Sequence, residues 1–161
     1  MSTMATQPWR PIATAAGAAI VVAMIGLVMT DLGPWYLNLR MPAWKPPDAL
    51  FGPAWTLIFA TAALAGAYGW RALPHPGARF ALCGYFAINA LLNIVWSALF
   101  FRLQRPDWAL LEVGLLWLSI VLLMFTLWRG SRAASCLLLP YLLWVSYAAV
   151  LNFAVVRLNP R

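Results

Sequence analysis

The side chains with chemical reach in this chain are indoles and amides set at helical spacing inside apolar runs. Asn89, Asn93 and Trp96 follow at i, i+4 and i+7, so two amides and an indole share one helical face, and Phe100 continues it. Trp144, Ala148, Leu151, Asn152 and Val155 form a second such face, where the small Ala148 leaves a dent beneath the Trp144 ring. Trp55 and Phe59 lie one turn apart at the start of a third run. An amide surrounded by hydrocarbon must find a hydrogen-bond partner, so these faces look inward, at other helices or at a polar ligand. The chemistry on offer is binding between aromatic walls. Each stripe alone also fits ordinary core packing, and Asn89 and Asn93 also fit hydrogen bonding between helices.

Catalysis by the usual groups has little to rest on. No general acid, nucleophile or metal cluster stands out, so neither a hydrolytic nor a metal-dependent site is expected. His75 is the only histidine and falls in the Pro74/Pro76 loop. Cys83 and Cys136 lack C-x-x-C spacing and read as two small buried apolar residues. Glu112 is the only carboxylate within an apolar run, one turn past Asp107 and near the interface, where a helix N-terminus favours an anion. A proton-coupled pump would place its carboxylate deeper, so Glu112 reads as structural.

The elements that hold these faces are membrane helices. The chain has 161 residues, 64% hydrophobic and 9% charged, too few polar groups to cover a water-soluble surface. Five runs are long enough to cross the bilayer: Pro11 to Thr30, Pro53 to Trp70, Arg79 to Phe101, Trp108 to Trp128 and Ala133 to Val156. The expected fold is an all-α integral membrane bundle forming a single domain over residues 1–161. The first run has a longer apolar core than a signal peptide and no convincing cleavage site, so it reads as a retained span. Arginines at span ends account for most of the net charge of +7 and suit lipid head groups, so nucleic acid is not needed to explain it.

The positive-inside rule does not orient the bundle. Arg10, Arg71, Arg79, Arg129 and Arg132 fall on one side, and Arg40, Lys45, Arg102, Arg105, Arg157 and Arg161 on the other. Short later loops predict that sequence neighbours pack as antiparallel pairs. Ala13/Gly17 and Ala62/Gly66 offer close contacts, and Ala81, Gly84, Ala87 and Ala90 form a bare strip for a helix of the bundle or of a second copy.

The first connection is unusual. Between Trp35 and Thr56 it holds Pro42, Pro46, Pro47 and Pro53 together with Trp35, Tyr36, Trp44 and Phe51. The prolines forbid a continuous helix, and the aromatics are too hydrophobic for a solvated linker. The segment reads as a folded cap.

Three ordered strings carry a resemblance over nearly the whole chain. They are W-Y-x-x-L-x-x-P-x-W-x-P-P-x-x-x-F-G-P-x-W-T at 35–56, N-x-x-W-S-x-x-F-F at 93–101, and P-Y-L-L-W followed by L-N-F within 140–153. Together with five spans they resemble the TspO/MBR family, that of the translocator or tryptophan-rich sensory proteins, formerly called the peripheral benzodiazepine receptor. The resemblance implies a bacterial member: a five-helix bundle of the cell envelope, in either the inner or the outer membrane, forming a homodimer. It also implies a pocket under the first loop that accepts porphyrins and drug-like isoquinoline carboxamide or benzodiazepine ligands, with links to cholesterol binding. Carried over by motif, Trp55 and Trp144 match tryptophans associated with porphyrin degradation. Tyr36, Phe59, Asn93, Trp96 and Ala148 match pocket-lining positions, and Leu151 lies on the same face as Trp144 and Ala148. Ala148 also falls where the family's alanine-to-threonine variant lies.

The departures are specific. LNFAVVR has Phe153 where the sterol-recognition pattern needs tyrosine, which puts sterol binding in doubt. Ala43 replaces a tryptophan of some relatives, and Phe59 a tyrosine.

A porphyrin is a flat apolar disc with two propionates on one edge. It needs aromatic walls and a cation or donor at the mouth, for which Trp55, Trp96 and Trp144, Asn93, and Arg40 and Lys45 are the candidates. No cofactor is required; porphyrin is the ligand or the substrate. Three readings follow: a tetrapyrrole-binding protein of sensing or homeostasis, a light-dependent enzyme in which Trp55 and Trp144 are redox-active walls, and a carrier of porphyrin or sterol.

Overall fold

The computed structural model describes residues 9–160, so Arg161 and residues 1–8 of the expected domain lie outside the described residues. The elements are α1 (Arg10–Met29), a short α2 (Pro34–Leu37), a 3₁₀ turn (Asp48–Leu50), α3 (Phe51–Ala72), α4 (Pro76–Ser97) continued by a widened turn (Ala98–Arg102), α5 (Pro106–Trp128), a short α6 (Arg132–Cys136) and α7 (Leu139–Leu158). Five segments among the described residues are long and apolar enough to cross a membrane. Proline stands in the first turn of α1, α4, α5 and α7, where its missing N–H would have had no helical partner. The outer faces carry large apolar side chains in the open, such as Phe80 at 81% and Leu111 at 79%, as lipid allows and water would not.

The helices form a ring in the order α1, α3, α7, α5, α4. The centre of packing is α5, whose Val113, Leu116, Ile120, Leu123 and Leu127 are buried against α4 and α7. Helix α1 has no buried residue and packs mainly on α3.

The expectation of antiparallel neighbours fails for one pair. Helices α3 and α4 are joined by only three residues, yet they are not principal ring neighbours. They approach where α3 lacks side chains: a Cβ at Gly66 would meet the Phe86 ring at 3.5 Å, and one at Gly69 would press on Leu82 and collide with Leu127.

The fifth predicted span is broken rather than continuous. Pro140 has no N–H, and its ring opposes the carbonyl one turn back, so the chain stops at Cys136 and restarts at Leu139. Ser131 caps α6 by accepting from the Ala134 amide at 3.2 Å, and Ser135 Oγ donates to the Met124 carbonyl of α5 at 2.9 Å. At the opposite end, the Leu103 amide donates to the Ala98 carbonyl, five residues back, at 2.9 Å. This widened turn ends the third span and brings Phe100 and Phe101 together at 4.9 Å between ring centroids.

One sequence expectation changes. Cys83 and Cys136 are exposed, not buried; Cys83 shares the outward face of α4 with Phe80 and Ala87, and a thiol is apolar enough for a lipid-facing position. Glu112 is buried in the bundle, and neither carboxylate oxygen has a hydrogen bond among the described residues. In the α4 strip, Ala81 and Ala87 face outward and a Cβ at Gly84 would meet open space, so this part of the strip is not used inside the bundle.

Asn152 ties α7 to the start of α5. With its amide oriented to satisfy both partners, it donates to the Pro106 carbonyl at 3.1 Å and accepts from the Leu110 amide at 2.9 Å. It is 1% exposed, so Asn152→Leu removes both side-chain bonds between α7 and α5 from a buried site. The expected loss is about 1–3 kcal/mol, seen as a lower thermal midpoint of the purified protein in detergent. An unchanged midpoint would show that the bridge does not hold the helices.

Candidate functional site

The loop ends of α1, α3, α4 and α7 enclose one large cavity of about 680 Å³. The walls on α3, α4 and α7 carry aromatic side chains. Trp55 stacks on Phe59, with ring centroids 5.5 Å apart at 27°, and meets Trp144 edge to face at 6.5 Å. Phe51 and Tyr147 stand against Trp144 at 5.4 and 5.9 Å. On the α4 side, Trp96 stacks on Phe100 at 5.3 Å and 23°. One α3 turn thus presents a stacked indole and phenyl, and one α4 turn presents another, because Trp55/Phe59 and Trp96/Phe100 are each spaced by four residues.

Polar groups are few. Asn93 lines the cavity and donates through Nδ2 to the Tyr141 hydroxyl at 3.2 Å; its amide carries a second N–H. Asn89 donates to Ser119 Oγ at 2.8 Å, does not line the cavity, and so serves as a tie between α4 and α5. Ser97 and Asn152 add two further buried polar side chains to the wall. Trp96 Nε1 and the Tyr147 hydroxyl, both on lining residues, are buried without a hydrogen-bond partner among the described residues.

The first loop reaches the cavity through Tyr36, Met41, Lys45 and Asp48. Its shape comes from aromatic packing onto the widened turn, with Trp35 on Phe100 at 5.9 Å and Tyr36 on Phe101 at 5.8 Å. Trp44 packs on Tyr147 of α7 at 5.7 Å. The Tyr36 hydroxyl donates to Asp48 Oδ1 at 2.9 Å, and Lys45 Nζ pairs with the same oxygen at 2.5 Å. Burial, together with the bond to the Asp48 carboxylate, pushes the Tyr36 phenol well above its usual range, so it remains a donor throughout ordinary pH. Asn159 fastens the other flank, accepting from the Arg40 amide at 2.9 Å and donating to the Arg40 carbonyl at 3.0 Å.

The chain matches the TspO/MBR family model over residues 12–158. It is similar to the tryptophan-rich protein TspO of Chlorobaculum tepidum, at 42% identity covering 89% of this chain and 92% of the relative. A tryptophan-rich sensory protein of Cereibacter sphaeroides is 34% identical over 78% of this chain and 77% of its own length. The translocator protein of Sus scrofa is 30% identical over 94% and 92%. The chain belongs to the TspO/MBR family.

Of the residues singled out from the sequence of this TspO/MBR chain, Tyr36, Lys45, Trp55, Phe59 and Asn93 line the cavity, as do Trp96, Trp144, Ala148 and Leu151. Arg40 does not: it is exposed, and its backbone is spent on Asn159. Lys45 reaches the cavity already paired with Asp48.

Sequence reasoning missed one whole wall. Ala16, Ala19 and Ala23 of α1, with Met24 and Leu27, line the cavity, and their three-to-four spacing was the available signal. Asp48, Met41 and Tyr147 were missed too. Only the three-residue step from Lys45 hinted at Asp48.

If the Tyr36 to Asp48 bond orders the loop, Tyr36→Phe should speed amide exchange across residues 36–50 by about 2–10-fold, the range of one lost hydrogen bond, and leave α5 unchanged. Equal loop exchange in wild type and variant would place the ordering elsewhere.

Proposed function

We infer that this TspO/MBR membrane protein binds tetrapyrroles in the cavity beneath its first loop and acts in their sensing or homeostasis. The observation that carries the reading is the composition of one cavity wall: three indoles and an amide, from Trp55, Trp96, Trp144 and Asn93, around about 680 Å³. That volume lies within the roughly 300–1,000 Å³ usual for organic ligands, and aromatic walls suit a flat conjugated disc. The stacked pairs on α3 and α4 would hold the ring. The second N–H of Asn93, the Trp96 indole and the Tyr147 hydroxyl would supply donors; unpaired buried donors cost about 1–3 kcal/mol, which an acceptor on the ligand would relieve. Lys45 would face the propionates. The first loop would cover the site, and the name of the sensory relative from Cereibacter sphaeroides agrees with a signalling role.

A second reading has its own support. Trp55 and Trp144 share the cavity and touch each other, and Tyr141 stands 6.3 Å from Trp55. Indoles are the most readily oxidised of the ordinary side chains. A photoexcited porphyrin between them would have an electron donor at contact distance, and dioxygen would be the oxidant for its breakdown.

Quenching of tryptophan fluorescence by protoporphyrin IX tests the binding site. Asn93→Leu and Ala148→Thr should each weaken binding about 2–10-fold, the range of one lost hydrogen bond or one added clash. Unchanged affinity in both would put the ligand elsewhere. Illumination of the complex tests the second reading. Loss of the Soret band with a stable product, abolished in Trp55→Phe or Trp144→Phe, is the expected result, and bleaching identical to that of free porphyrin in detergent would contradict it.

A further inference from the structure

The lysine that faces the cavity already holds an anion. Its side chain is 14% exposed, against 51% for Asp48, so within the pair the cation is the enclosed member and the carboxylate is half in water. The ammonium sits 5.7 Å from the centre of the Tyr36 ring and 5.9 Å from that of Phe51. The Tyr36 hydroxyl and Lys45 Nζ converge on one oxygen, Asp48 Oδ1, at 2.9 and 2.5 Å. Two donors, Tyr36 and Lys45, thus form a seat for a carboxylate, the Tyr36 and Phe51 rings flank the ammonium, and these three residues line the cavity with Asp48.

We propose that Asp48 is an exchangeable internal anion: it occupies this seat while the cavity is empty and yields it to the carboxylate of an acidic ligand. The Lys45–Asp48 pair thereby sets the preference of the site between carboxylate-bearing and neutral ligands. This rests on the cavity being the binding site, as inferred above.

The exchange is favoured by where each charge sits. Ion pairs with a half-exposed member are weak, because water solvates the released carboxylate. The enclosed ammonium, in contrast, is costly to leave without a counter-charge. A ligand carboxylate can therefore replace Asp48 at little net cost, whereas a neutral ligand must leave the pair in place or strand the lysine. Arg40 offers no alternative seat, since it is exposed and does not line the cavity.

The test is a titration of the whole protein in detergent with a dicarboxylic porphyrin and with its dimethyl ester, followed by tryptophan quenching. Asp48→Asn removes the competing anion and should tighten the diacid about 3–10-fold while moving the ester less than about twofold, the scale of one partly exposed ion pair. Lys45→Gln should weaken the diacid by a similar factor and bring the two ligands together. A shift of equal size for both ligands in Asp48→Asn, or no shift for the diacid, would overturn the exchange and leave Asp48 as a tie within the loop. Wild-type protein that quenches with neither porphyrin would overturn the cavity reading itself. Quenching by both with no change of preference in either variant would overturn the exchange alone.

Discussion

Two membrane helices approach closely only where one of them lacks side chains, and in this molecule that condition is met at one end of α3. Gly69 lets α3 lie against Leu82 of α4 and Leu127 of α5, and Gly66, one turn back, faces the Phe86 ring at ordinary contact distance. Trp55 lies about 16 Å further along the same helix at 1.5 Å per residue, and there Trp55, Phe59 and, on α4, Trp96 and Phe100 replace the glycines. The pair is narrow at the glycine end and wide at the aromatic end. The cavity occupies the wide end, and α1 and α7 close its sides.

The division of labour among the helices follows. Helix α5 contributes none of the lining and supplies more of the dense core than any other helix, so α4 and α7 are braced from behind. Asn152 fixes α7 to the first turn of α5, and Asn93 of α4 bonds to Tyr141 of α7. These buried amides serve the bundle and the cavity together. Helix α1 is the opposite case: without buried residues, it contributes a face of alanines whose flatness leaves the space open. The first loop is held by aromatic packing onto the widened turn at Ala98–Arg102, so the end of the third span and the first loop are one construction.

Much of this was legible in the residues. Long apolar runs announce membrane helices because lipid cannot satisfy a bare backbone, and the i, i+4 spacing of Trp55/Phe59 and Trp96/Phe100 places each pair on one face without reference to any neighbour. The spacing of Ala16, Ala19 and Ala23 marks one face of α1, but alanine does not tell whether that face is packed or borders a cavity. The loose contact of α3 with α4 was hidden because a short connection limits the distance between two helix ends and says nothing of which neighbours the rest of each helix prefers. The break before Leu139 could have been read from Pro140, but the hydropathy on both sides of it is continuous. The exposed cysteines were not legible, since lipid and protein interior accept a thiol alike.

The central claim is that a tetrapyrrole occupies the wide end of the bundle, between the α3 and α4 aromatic pairs and under the first loop. An experimental structure of the protein with protoporphyrin IX bound tests it most directly. The account predicts the macrocycle in contact with Trp55, Trp96 and Trp144, within hydrogen-bond reach of Asn93, and with its propionate edge toward Lys45. A porphyrin bound on the outer, lipid-facing surface with this cavity empty would contradict it.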